Sequence, residues 1–440
     1  MALSWPIVLA NLTITAMTTT DFIFLGRLSP HALAAGSLGF FVYQPLFLLG
    51  LGVVGALAPI AAAKIGAGSG GDELRRATHQ ALISALLIAV LIWIVLIGAT
   101  PFLLAIGEPP DVARDAGVYL MGFQWAVAPS LIYTATRSAF SALERPRPAL
   151  TAGLVAVAFN VLANYALVFG KLGMPALGII GSGFATTLSQ TLMCALLLAA
   201  SRIDRRMAPL RLFAPPWRFA AKEFMGLWRF GLPIGVMIVA EVGVFSAASL
   251  AMGLFSATAI EAHTIGLQIA SIAFMVPLGL GQAATVRVGL AYGARDSRAI
   301  SRAGWSAFGL TSLFAVFSAS AMVGAPRLLI SPFVDLDAPA NRDTIMLAIA
   351  LLRIGALFQI VDASQVALAN MLRGLHDSRV PLIIALVGYW AIGAPVGLGL
   401  GFLTPLGPVG VWIGLASGLA VVAVLLLIRW VGKERRGFGV

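Results

Sequence analysis

The chain has 440 residues, 60% of them hydrophobic and 11% charged, with a mean hydropathy of +0.96. A soluble globular core needs far less apolar content, so this is a polytopic membrane protein. The net charge of +11 does not mark a nucleic-acid binder, because the basic residues fall between apolar runs and form no Lys/Arg face or binding motif.

Apolar runs of about 18 or more residues can cross a bilayer as helices. Twelve are expected, at 3–25, 34–63, 79–101, 117–140, 148–170, 177–200, 229–256, 259–286, 303–325, 344–372, 380–403 and 408–430. The first begins at once after Met1, without the basic region and small-residue cleavage site of a signal peptide, so it reads as a retained span. Cys194, the sole cysteine, lies in an apolar run, which leaves neither an intrachain disulfide nor a cysteine metal site.

Twelve spans put both termini on one side, and basic residues mark the cytoplasmic side. With cytoplasmic termini, 23 of the 29 Lys and Arg residues fall inside, against Arg27, Arg114, Lys171, Arg327 and Arg342 outside and Arg353 within a span. The longest polar stretch, Ser201 to Lys222 with Pro209, Pro215 and Pro216, reads as a cytoplasmic linker. The expected domains are residues 1–200 and 229–440, six spans each, joined by 201–228.

The halves resemble each other. A shift of 227 residues pairs Pro6 with Pro233, Ser29 with Ser256, Ala32 with Ala259, Ala35 with Ala262, Gly39 with Gly266, and Gly66-Ala67 with Gly293-Ala294. An even number of spans per half makes this a parallel repeat about an axis along the membrane normal, as in one class of secondary transporters.

Three carboxylates lie well inside spans: Asp21, Glu241 and Asp362. An ionised acid at that depth costs a few kcal/mol unless water, a cation or a partner meets it, which makes each a candidate site. Glu241 is twelve residues beyond Arg229 and Asp362 eleven before Arg373, so both sit roughly 17 Å from the cytoplasmic end and can meet at one level. Asp21 and Asn164 lie roughly 10 Å from the outer end, and Asn160 shares a helix face with Asn164. The acids do not follow the repeat, since Asp21 matches Ala248 and Glu241 matches Ile14.

The plainer alternatives are protonated acids bonding across helices, and Asn160 and Asn164 as interhelical glue. Arg353 can partner a carboxylate or line a cavity, although it lies roughly 13 Å along the helix from Asp362. Glu261 and His263 read as a solvated turn. The chain lacks a phosphate-binding G-x-x-x-x-G-K-[ST] loop and histidine spacing for a metal centre, which excludes visible nucleotide hydrolysis. A carboxylate that exchanges a proton or metal cation can couple an ion gradient to transport instead.

Several stretches together resemble the multidrug and toxic compound extrusion family, in its NorM-like branch, over almost the whole length. They are Trp5-Pro6 through Asp21-Phe-Ile-Phe-Leu-Gly26, Leu143-Glu-Arg-Pro-Arg-Pro148, Asn160-Val-Leu-Ala-Asn164-Tyr165, Gly231-Leu-Pro-Ile-Gly235 leading to Glu241, and Phe358-Gln-Ile-Val-Asp362 followed by Leu372-Arg-Gly-Leu-His-Asp-Ser-Arg379. The resemblance implies an all-α fold of twelve transmembrane helices in two six-helix bundles around a V-shaped cavity. It implies an antiporter of the bacterial inner membrane that exports cationic or amphipathic small molecules against inward Na+ or H+, with no cofactor and no enzymatic activity. A monomer in the lipid bilayer is expected.

Carried over by position, Glu241 and Asp362 look like a cation site, with Na+ possible there, and Asp21, Asn160 and Asn164 like a proton or polar site. Phe358, Gln359 and Arg353 are candidate cavity residues. Where sodium-binding relatives often carry Tyr, this chain has Phe358, which removes an oxygen ligand and leaves protons as the alternative. Two other readings are a lipid-linked oligosaccharide flippase, which tends to need basic cavity residues, and a membrane-embedded enzyme, which would need clustered catalytic groups at one interface.

Overall fold

Backbone amides in hydrocarbon must find partners within the chain, and these apolar runs do so as helices. The computed structural model describes residues 4–69, 71–213 and 217–440. The expected start of the first span at residue 3, and Pro215 and Pro216 of the linker, lie outside the described residues. In chain order the helices are α1 (Ser4–Leu28), α2 (Pro30–Gly55), α3 (Leu57–Gly66), α4 (Gly71–Ile97), α5 (Ala99–Ala105), α6 (Pro110–Phe123), α7 (Val127–Ala142), α8 (Arg147–Phe169) and α9 (Ile179–Ile203). They continue with α10 (Ala221–Gly253), α11 (Ala257–Gly293), α12 (Ser297–Gly324), α13 (Pro326–Ile330), α14 (Arg342–Gly374), α15 (Arg379–Leu386), α16 (Ala394–Phe402) and α17 (Pro408–Arg435). A π-helical segment, Val387–Gly393, joins α15 to α16.

Among the described residues, 11 helices are long and apolar enough to cross a membrane. The expected span at 117–140 is built differently: α6 and α7 meet at a 3-10 turn, Gln124–Ala126. Pro129 has no N–H to give the Trp125 carbonyl, so a continuous helix would lack a hydrogen bond at that point. Side chains take up carbonyls freed nearby. Trp93 on α4 donates Nε1–H to the Gln124 oxygen at 2.7 Å, and Thr187 on α9 donates to the Gly122 oxygen at 2.7 Å.

The chain forms two compact units, Met1–Gly235 and Val236–Val440. In the first, α1 packs on α8 and α8 on α9, while α2 packs on α6. The segment between α9 and α10 is held to this unit. The Gln80 amide on α4 donates to the Arg218 carbonyl at 2.8 Å and accepts from the Ala220 N–H at 3.2 Å, and Arg145 pairs with Asp204 at 3.2 Å. Cys194 is buried on α9.

In the second unit α14 is central, packed by α11, α12 and α17. Leu351, Leu372, Trp412, Leu426 and Trp430 fill the core around it. The internal repeat appears in matching local chemistry. Ser29 caps α2 by accepting from the Ala32 N–H, and Ser256 caps α11 by accepting from the Ala259 N–H, each at 3.0 Å. Each cap satisfies a backbone donor that a helix start leaves free. Ala67 and Ala294, also paired by the repeat, close α3 and α11.

Candidate functional site

Asp21 on α1 is buried against α8 and α9. Its Oδ1 accepts from Asn160 Nδ2 at 3.0 Å and from Asn164 Nδ2 at 2.7 Å, and its Oδ2 accepts from the Thr186 hydroxyl. The two asparagines reach it together because a spacing of four places them on one face of α8. Both carboxylate oxygens are therefore engaged, while Asn160 Oδ1 and Asn164 Oδ1 are buried without a hydrogen-bond partner. The sequence reading missed Thr186.

The second acid cluster is assembled from α10, α14 and the π-helical segment. Glu241 is partly buried, and its Oε1 accepts from Gln365 Nε2 at 2.9 Å. Gln365, three residues beyond Asp362 on α14, in turn accepts the Tyr389 hydroxyl at 2.8 Å. Asp362 is 4% exposed, stands beside the same Gln365 amide, and lies within electrostatic reach of Glu241. Its Oδ1 has no hydrogen-bond partner. Arg373 acts electrostatically on Glu241, and its Nη1 donates to Asn370 Oδ1 at 3.4 Å.

The three candidate cavity residues separate. Phe358 is buried, edge-on to Phe245 and Trp412 at ring distances of 5.8 Å and 5.9 Å, so it belongs to an aromatic core. Gln359 is wholly buried, and neither atom of its amide has a hydrogen-bond partner. It shares a face of α14 with Asp362, three residues on. Arg353 is exposed, on the side of α14 that carries exposed Leu357, and among the described residues no carboxylate pairs with it.

His263 departs from the solvated turn expected of it. It is 1% exposed, its Nδ1 accepts from Trp412 Nε1 at 3.0 Å, and its Nε2 lies 2.9 Å from the Ser249 hydroxyl. Two residues of helix turn a side chain by roughly 200°, so His263 faces inward while Glu261 stays exposed and accepts from the Thr344 hydroxyl at 2.9 Å. Among the described residues no group of three His, Cys, Asp or Glu side chains is placed to hold a metal ion. A cation at the second cluster would have Glu241 and Asp362 as its charged ligands.

The family model MatE matches twice, over residues 6–166 and 233–398. The two matches open on Pro6 and Pro233, the prolines that the internal repeat superposes. The probable multidrug resistance protein NorM of Mesorhizobium japonicum is 49% identical over 99% of this chain and 93% of its own length. The probable NorM of Brucella suis is 42% identical over 98% and 92%. Among solved structures, the eukaryotic MATE transporter AtDTX14 superposes with a TM-score of 0.86 at 20% identity, over 99% of this chain and 96% of that one. A MATE protein crystallised in complex with MaD5 superposes at 0.88 with 17% identity, over 100% and 96%. With the family model covering both halves and relatives this close over nearly their full length, the chain belongs to the MatE family, the multidrug and toxic compound extrusion transporters.

Proposed function

We propose that the chain is a multidrug efflux antiporter of the bacterial inner membrane, exporting cationic or amphipathic small molecules against an inward flow of sodium ions or protons. The observation that carries this reading is the Glu241 and Asp362 pair, with the Asp362 Oδ1 buried and unpartnered. An ionised carboxylate costs about 2.5–3.5 kcal/mol at the centre of a membrane helix. Binding a cation or proton offsets that cost, so occupancy of the pair shifts which conformation the protein prefers. The names of the bacterial relatives support export of drugs.

In this reading the two compact units are the two six-span halves, both termini are cytoplasmic as the basic-residue bias indicates, and the working unit is a monomer. Phe358 sits in the aromatic core and offers no oxygen, which keeps the proton beside sodium as coupling ion. The test is efflux of a fluorescent cation from vesicles under an imposed sodium or proton gradient. Wild-type efflux should follow one of the two gradients, and Asp362→Asn and Glu241→Gln should each reduce the gradient-driven part to background. If both variants export normally, the coupling role is lost.

A further inference from the structure

Two successive side chains of the π-helical segment Val387–Gly393 reach the surroundings of Glu241. π-helical turns inside α-helices recur at functional sites. Glycine seats this one: a Cβ on Gly388 would come within 2.2 Å of Val422 Cγ2 on α17. From that seat two successive residues reach the acid cluster. The Tyr389 hydroxyl, fully buried, donates to Gln365 Oε1, and Trp390 donates Nε1–H at 3.1 Å to the carbonyl of Ala240, the residue before Glu241. Gly243, three residues further along α10, lies under the same indole, where a Cβ would stand 3.1 Å from Trp390 Cζ2.

The chemistry of the amide gives this contact its meaning. A glutamine amide can turn end for end with almost no change of shape, exchanging its acceptor for its donors. Turned, Gln365 would aim its oxygen at the Glu241 carboxylate and leave the buried Tyr389 hydrogen without an acceptor. A buried polar group left unpaired is costly. The Tyr389 hydroxyl therefore favours the orientation in which Gln365 Nε2 meets Glu241 Oε1 at 2.9 Å, and Asp362 stands beside the same amide.

We propose that Tyr389, assisted by Trp390, is a positioning residue of the coupling site, which holds Gln365 as a donor to Glu241 and so keeps the carboxylate oriented to receive the cation. This rests on reading Glu241 and Asp362 as the coupling pair. Phe358 provides no oxygen to orient the ion, so that task falls to the Gln365 and Tyr389 chain.

The experiment is the vesicle efflux assay with Tyr389→Phe, which removes only the hydroxyl, titrated with the driving cation to which the wild type responds, sodium or proton. If sodium drives efflux, its half-saturating concentration should rise roughly tenfold, the effect of one hydrogen bond to a charged group; if the proton does, its half-saturating concentration should fall by a similar factor, because a donor to the carboxylate favours the ionised form. In either case the maximal rate and the half-saturating drug concentration should stay within about twofold. Trp390→Phe should give a smaller change in the same direction. In a Glu241→Gln background, Tyr389→Phe should change nothing further.

An unchanged half-saturating cation concentration in Tyr389→Phe, with gradient response abolished in Glu241→Gln, overturns the positioning role and leaves the coupling reading standing. A gradient response intact in Glu241→Gln sinks the coupling reading itself. A fall in maximal rate and thermal stability without a change in cation dependence would make Tyr389 structural only, which also overturns the proposal.

Discussion

Asp21 and Asp362 are both buried carboxylates in apolar helices, and their surroundings are opposite. Asp21 has both oxygens engaged by three side-chain donors from two helices. Asp362 has an oxygen with no partner and, less than one turn away, the amide of Gln359 with none either. A carboxylate with its oxygens satisfied contributes to packing and resists change. One with an oxygen unmet is less stable as it stands and correspondingly able to take up a proton or an ion. The difference separates an acid with both oxygens met by donors from one with an oxygen unmet, and the proposed coupling pair draws on the second.

Thermal unfolding in detergent can break that comparison. Asp21→Asn exchanges one acceptor oxygen for a donor and sets it against groups that already donate. It should destabilise the protein by about 2–4 kcal/mol, while Asp362→Asn stays within about 1 kcal/mol of wild type or gains stability. Equal losses at the two positions would erase the distinction.

Gln359→Leu sharpens the comparison on the other side. Replacing a buried, unpartnered amide with an apolar group of similar size should stabilise by about 1–2 kcal/mol. A loss of that size would mean that the amide is already well bonded. The smallest effect is expected at Thr186→Val, which removes one of the three donors to Asp21 and should cost about 1 kcal/mol in the same melting experiment. No change there would show that Thr186 contributes nothing to holding the acid.

The sequence made the Asp21 cluster legible because two regularities act together: helical rise fixes depth, and a spacing of four puts Asn160 and Asn164 on one face. Thr186 left no comparable trace. Threonines in apolar helices commonly bond their own preceding turn, as Thr78 and Thr134 do here, so one that also reaches an acid looks like the others. Gln365 was within reach, a polar residue three beyond Asp362 in an apolar run. Tyr389 was not, because the π-helical segment changes the register on which any facing argument depends.

His263 was misread for a related reason. A histidine near a helix end suggests solvent, and only its contacts with Trp412 and Ser249 reveal that it turns inward. The break between α6 and α7 did have a sequence signal in Pro129, but hydropathy alone ran through it. The twelve apolar runs fixed the fold class because the bilayer leaves the backbone few options. Side-chain networks between helices depend on rotations that hydropathy does not encode.

The burial of Cys194 on α9 has a practical consequence for labelling. With the sole thiol of the chain shielded at 6% exposure, the wild-type protein is already close to a cysteine-free background for water-soluble thiol reagents. A single cysteine placed in any loop would then report its side of the membrane by its reactivity from outside intact cells. Pairs of spin labels could follow distances within the transporter during its cycle without first removing a native residue.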